Sequence, residues 1–121
     1  MSELQAAGPL AAATEEVRVK AELVPEGEAV RVEGGRHGIC IARVGDRWFA
    51  LADRCSHQSW PLSDGEVDAE ALTVECTKHG STFSLSDGQP QCLPATRPVA
   101  VFPVRVDGDE VVISVPRRDA Q

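Results

Sequence analysis

VAVFPVRVDGDEVVISV, residues 99–115, is the stretch that decides the fold. Two apolar-rich runs lie on either side of Asp107-Gly108, and in VRV valine alternates with a charged residue. Alternation at period two places one set of side chains on one face of an extended chain. Asp-Gly between two such runs is a hairpin signal, because glycine accepts the positive φ that a tight turn needs.

The same reading extends towards the N-terminus. VRVKAEL, EAVRVEGG, GICIARVG, RWFALAD, ALTVEC and STFSLSDG are short, rich in β-branched residues and bounded by turn signals. Gly45-Asp46, Asp64-Gly65 and Asp87-Gly88 punctuate them. No amphipathic helical stretch of useful length is present, so an antiparallel all-β fold is expected. Residues 16–116 are expected to form one domain, between a flexible N-terminus over 1–15 and a flexible tail over 117–121. Within it, residues 52–96 collect three of the four cysteines together with Pro61, Pro90 and Pro94. That segment reads as a smaller loop-rich lobe inserted between the strands of the main body.

Composition narrows the function. A net charge of −7 opposes nucleic-acid binding, which needs a basic face to displace counterions. No run approaches the roughly 18 apolar residues of a membrane span. The start MSELQAAGPLAAATEE opens acidic and breaks its alanine run with Gly8 and Pro9, a poor secretory signal. The cytoplasm is therefore the expected compartment, where sparse cysteines serve more often as metal ligands or core residues than as disulfides.

Chemistry concentrates in RCSHQSW, residues 54–60, and ECTKHGSTF, residues 75–83. They contain Cys55 and His57 as C-x-H, then Cys76 and His79 as C-x2-H, with eighteen residues between the pairs. In an extended segment residues two apart project to the same side, and Gly80 allows the second pair to converge through a turn. Two loops, each offering one thiolate and one imidazole, can close on a metal. A tetrahedral zinc ion accepts two thiolates and two imidazoles, although C-x-H is tight for a single ion. A [2Fe–2S] cluster suits the short separation better, because each loop can give its cysteine to one iron and its histidine to the other.

With its second box, this pattern resembles the Rieske family over roughly residues 17–115. The likeness includes CSHQSWPLSDG, HGSTF, Leu93-Pro94-Ala95 and VFPVRVDGDEV. It implies a Rieske-like antiparallel β sandwich with a cluster-binding lobe at about 52–96. It also implies one [2Fe–2S] cluster held by Cys55, His57, Cys76 and His79. Trp60, Lys78, Ser81, Phe83, Leu93 and Pro94 would then surround the cluster. The high-potential members add a cysteine to each box and join them as a disulfide. The matching positions here are Trp60 and Lys78, and Phe83 stands where those members have a tyrosine. Ser81 matches a donor of the high-potential type. With fewer hydrogen bonds to the cluster's sulfurs, a potential in the lower part of the family's range is expected.

The likeness is greatest to the small ferredoxins of bacterial ring-hydroxylating dioxygenases. It implies a one-electron carrier rather than an enzyme, loaded by a reductase and unloaded by an oxygenase or another redox enzyme, and expected to be monomeric. A catalytic Rieske oxygenase also needs a mononuclear iron site, and His37 is the one histidine left over. A small accessory subunit of a nitrite reductase, or a ferredoxin of iron–sulfur assembly, is the alternative. Such accessory subunits often lack some cluster ligands, and this chain has all four. Cys40 reads as a buried small hydrophobe, His37 as an exposed loop residue and Cys92 as packing near the cluster. Trp60 and Leu62 are expected beneath the first loop, and Lys78 on a solvated face.

Overall fold

In the computed structural model of the chain, the structure describes residues 14–56, 60–78, 80–93 and 95–117. Ten strands form among them, with 3-10 turns at Ala21–Leu23 and Leu62–Asp64. The strands are β1 (Thr14–Lys20), β2 (Ala29–Val32), β3 (Ile39–Val44), β4 (Arg47–Ala52), β5 (Val67–Asp68), β6 (Thr73–Glu75), β7 (Thr82–Ser84), β8 (Val101–Phe102), β9 (Val104–Asp107) and β10 (Glu110–Pro116). All pairings are antiparallel and make three sheets, ordered β1-β10-β9, β2-β3-β4-β8 and β5-β6-β7. The all-β expectation holds. β1 begins at Thr14, two residues inside the stretch expected to be flexible.

The stretch 99–115 forms its hairpin and adds a corner. β9 and β10 pair with Asp107 opposite Glu110, so the two-residue loop is Gly108-Asp109 rather than Asp107-Gly108. Gly45-Asp46 closes β3 and β4 in the same way, with Val44 opposite Arg47. In both loops the glycine has positive φ and the aspartate does not, the Gly-first pattern of a type II′ turn. VAVFPVRVDG does not make one strand. It breaks at Pro103, where a missing N–H cannot continue a ladder. β8 pairs with β4 and β9 with β10, so the chain changes sheets at that proline.

The sheet β2-β3-β4-β8 is the middle layer. Ile39, Ile41 and Ala50 pack with Val19, Val111, Ile113 and Val115 of β1 and β10 in one core. Their neighbours Cys40, Ala42 and Leu51 face the other way, into a second core with Leu62, Val74, Phe83 and Leu85 of the lobe. Alternate residues of one strand thus serve two cores. This is why ICIA reads as an unbroken apolar run and is buried on both faces. The lobe is built on the short sheet β5-β6-β7 and rests on the second core. Cys40, at 0% exposure, is part of that support, as its sequence context implies.

Candidate metal centre

Two loops leave this second core and come back with the same closure. The Cys55 amide donates to the Trp60 carbonyl at 2.8 Å, and the Cys76 amide donates to the Ser81 carbonyl at 2.7 Å. Each loop is therefore closed by a cysteine N–H bonded to the carbonyl five residues on. The second is tightened by the Gly80 amide on the Cys76 carbonyl at 2.9 Å, with Gly80 at φ +77. Both thiols are buried, at 2% and 1% exposure, in the same apolar cluster, and neither is in a disulfide. His57, His79 and Pro94 lie outside the described residues.

Several groups anchor these loops. The Asp53 carboxylate is fully buried and accepts from the Ser63 amide at 2.7 Å, the Ser63 hydroxyl at 2.7 Å and Arg31 at 3.0 Å. It ties the chain just before the first loop to the chain just after it, and pins both to β2. Gly65 follows the 3-10 turn where the first loop's exit passes the entry to the second. A Cβ there would overlap the Glu75 carbonyl. Sequence reading took Asp64-Gly65 as a turn, but the constraint on Gly65 is close approach.

The loops also touch each other. The Trp60 indole N–H donates to the Thr77 hydroxyl at 2.8 Å, and the Lys78 ammonium lies 5.0 Å from the centre of the Trp60 ring. Trp60 is 37% exposed, so it spans the loops at the surface instead of packing beneath the first one; Leu62, at 0%, takes that buried place. Lys78 is exposed, yet it is held over the ring.

Ser81 is buried, and its hydroxyl oxygen accepts the Ala95 amide at 3.1 Å. Its O–H has no acceptor among the described residues, so a donor remains for a group bound between the loops. Phe83 is fully buried in the second core. Leu93 is 76% exposed, and Ala95, at 3%, is the buried residue of that segment. Cys92 is exposed, its sulfur 3.5 Å from the Gly80 carbonyl and from the Thr82 hydroxyl. His37 is half-buried rather than exposed; burial, with Arg54 and Arg36 nearby, lowers its pKa. Asp53 and Thr77 escaped sequence reading, because their partners are remote in the chain.

A Rieske [2Fe-2S] domain model matches residues 15–103. The chain belongs to the Rieske [2Fe–2S] domain family. It is 42% identical over 93 residues to the 3-phenylpropionate/cinnamic acid dioxygenase ferredoxin subunit of Escherichia coli K12, covering 77% of this chain and 86% of that one. The ferredoxin of carbazole 1,9a-dioxygenase from Nocardioides aromaticivorans IC177 superposes with a TM-score of 0.79 at 30% identity, over 84% of this chain and 98% of that one. A ferredoxin solved in complex with the oxygenase of carbazole 1,9a-dioxygenase gives 0.77 at 32%, over 85% and 95%.

The Rieske lobe of this chain fits a [2Fe–2S] group by the chemistry of its own residues. Two buried thiols head matching loops, a buried hydroxyl has no acceptor among the described residues, and the walls are apolar. Low polarity around the group and few donors to it are the levers by which a protein sets its potential.

Proposed function

We propose that this chain is a one-electron carrier whose [2Fe–2S] cluster is held by Cys55, His57, Cys76 and His79. A reductase supplies the electron, and the terminal oxygenase of an aromatic-ring dioxygenase system receives it. The observation that carries this reading is the pair of equivalent loop closures, each headed by a buried cysteine. The carrier role rests on likeness to relatives named as dioxygenase ferredoxin subunits. The cluster, when bound, accepts and releases one electron without a change of ligands. The protein's residues hold it and keep it dry. Cys55 and Cys76 anchor it from the core side, and Ser81 offers a hydrogen bond. Trp60 joins the two loops through Thr77 and Lys78. No helix among the described residues is long and apolar enough to cross a membrane, and we place the carrier in the cytoplasm as a monomer.

The test is spectroscopy with metal analysis. The reduced protein is expected to give a rhombic EPR signal and two irons per chain, and His57→Ala and His79→Ala should each abolish the signal. Zinc without iron, or a signal that survives both substitutions, would overturn the assignment. Delivery of electrons from the reduced protein to a ring-hydroxylating oxygenase, with no transfer to a nitrite reductase, separates the carrier from the accessory-subunit alternative.

A further inference from the structure

Most cations of this acidic chain are already engaged. Arg18, Lys20, Arg31 and Arg105 each lie within 4.0 Å of a carboxylate. Arg43, Arg47 and Lys78 lie over aromatic rings. Arg36, Arg54 and Arg97 have neither kind of partner among the described residues, and all three gather at one place. A cleft of about 290 Å³ is lined by His37, Arg54, Ser56, Arg97, Pro98 and Ala100 together with the backbone at Cys55. Arg36 and His37 line the neighbouring depression, and a further one carries Arg54 on to Trp60.

The cleft is fastened to the first ligand loop. The Ser56 hydroxyl donates to the Arg97 carbonyl at 2.6 Å, and the Ala52 amide donates to the Ala100 carbonyl at 2.9 Å. Residues 97–100 are thus bound against the end of β4 and the loop that starts at Cys55. We propose that this cleft is a docking point for a carboxylate-bearing segment of a protein electron-transfer partner. The proposal rests on the carrier reading above and adds which face meets the partner and with what charge.

The chemistry favours an acid. Guanidinium groups present a planar fork that matches carboxylates, and Arg54 and Arg97 line one cleft together with the apolar Pro98, Val99 and Ala100. The net charge of −7 would repel an acidic partner at long range. That repulsion is screened beyond about 10 Å at 0.1 M salt, leaving local cations to govern contact. His37, with its lowered pKa, adds a neutral edge that can donate or accept a hydrogen bond. A partner seated here would lie beside the loop that carries Cys55 and His57, where a short electron path needs it.

The test uses the iron-loaded protein and a fluorescein-labelled hexaglutamate peptide, followed by fluorescence anisotropy at 20 and 300 mM NaCl. Saturable binding is expected at low salt, weakened at high salt. Arg54→Gln/Arg97→Gln should weaken it at least tenfold. Arg54→Lys/Arg97→Lys keeps the charge but loses the fork, and should fall between the wild type and the glutamine pair. Arg18→Gln/Arg105→Gln removes the same charge from the far sheet and should change it less than twofold. Equal loss in both glutamine pairs, or no saturable binding by the wild type, would overturn the proposal. The EPR signal of the same samples keeps the two readings apart: a normal signal with no peptide binding removes the cleft and leaves the carrier. A missing signal with site-specific binding does the reverse.

Discussion

The Lys78 ammonium stands 5.0 Å from the centre of the Trp60 indole, and the indole N–H bonds to Thr77 at 2.8 Å. By the family resemblance, Trp60 and Lys78 are the two positions expected to match the disulfide of the high-potential Rieske proteins. A side-chain contact therefore joins the loops where those relatives use a covalent bond. A neutral hydrogen bond contributes about 1 kcal/mol and an exposed cation–π contact about 0.5–1 kcal/mol, each well below a typical disulfide. Trp60→Ala removes both and should speed loss of visible absorbance in the presence of a chelator. Trp60→Phe keeps a ring for Lys78 but loses the donor, and should fall between. Equal rates in all three proteins would show that the contact does not hold the loops.

Gly65 tolerates no side chain. Its φ of −92 is open to any residue, so the expected damage comes from overlap with the Glu75 carbonyl. Gly65→Ala must push the exit of the first loop away from the entry to the second. It should cost about 2–4 kcal/mol, within the range of severe packing substitutions. Thermal melting of the iron-loaded protein reads this, and an unchanged midpoint temperature would contradict it.

Asp53 is the buried anchor of the first loop. Asp53→Ala strands the Ser63 amide and releases Arg31, which is 42% exposed and can turn to water. The loss should be about 2–3 kcal/mol, chiefly from the stranded donors. Asp53→Asn keeps an acceptor for Ser63 and should lose less. Denaturant unfolding of the two variants would sink this account if asparagine proved no better than alanine.

The reduction potential should lie in the lower part of the family's roughly −150 to +300 mV range, because Phe83 brings no hydroxyl to the cluster. One donated hydrogen bond worth about 1 kcal/mol corresponds to about 40 mV for one electron. Phe83→Tyr should raise the midpoint by that order, and Ser81→Ala should lower it. Redox titration decides; a wild-type midpoint well above 0 mV would reject the argument.

The thiols should separate by reactivity. Burial, reinforced by the Asp53 charge, pushes the Cys40 thiol far above its ordinary range, so it carries almost no thiolate at pH 8. Cys92 is exposed, and Cys55 and Cys76 are committed in the proposed site. A disulfide reagent at pH 8 should modify one thiol in the native protein, none after Cys92→Ser, and four in the unfolded wild type. Rapid native modification of Cys40 would show that the second core opens readily.

Sequence alone marked out most of the strands and turns and proposed the donor set. Period-two alternation, Gly-Asp and Asp-Gly steps and two short Cys/His spacings are local signals, written within a few residues of where they act. Even there, local reading placed one hairpin loop a residue early and missed that Pro103 sends its two sides to different sheets. Tertiary structure alone decided what the remote groups do. Nothing near Trp60 announces Thr77, nothing near Asp53 announces Arg31, and Gly65 meets Glu75 only after two loops cross. The cleft beside Cys55 is of the same kind: Arg54 and Arg97 are ordinary surface residues of an acidic chain until β4 and the segment before β8 come together. Backbone geometry is a property of neighbours in sequence, whereas packing, ion pairing and charge convergence depend on contacts that exist only once the sheets have closed.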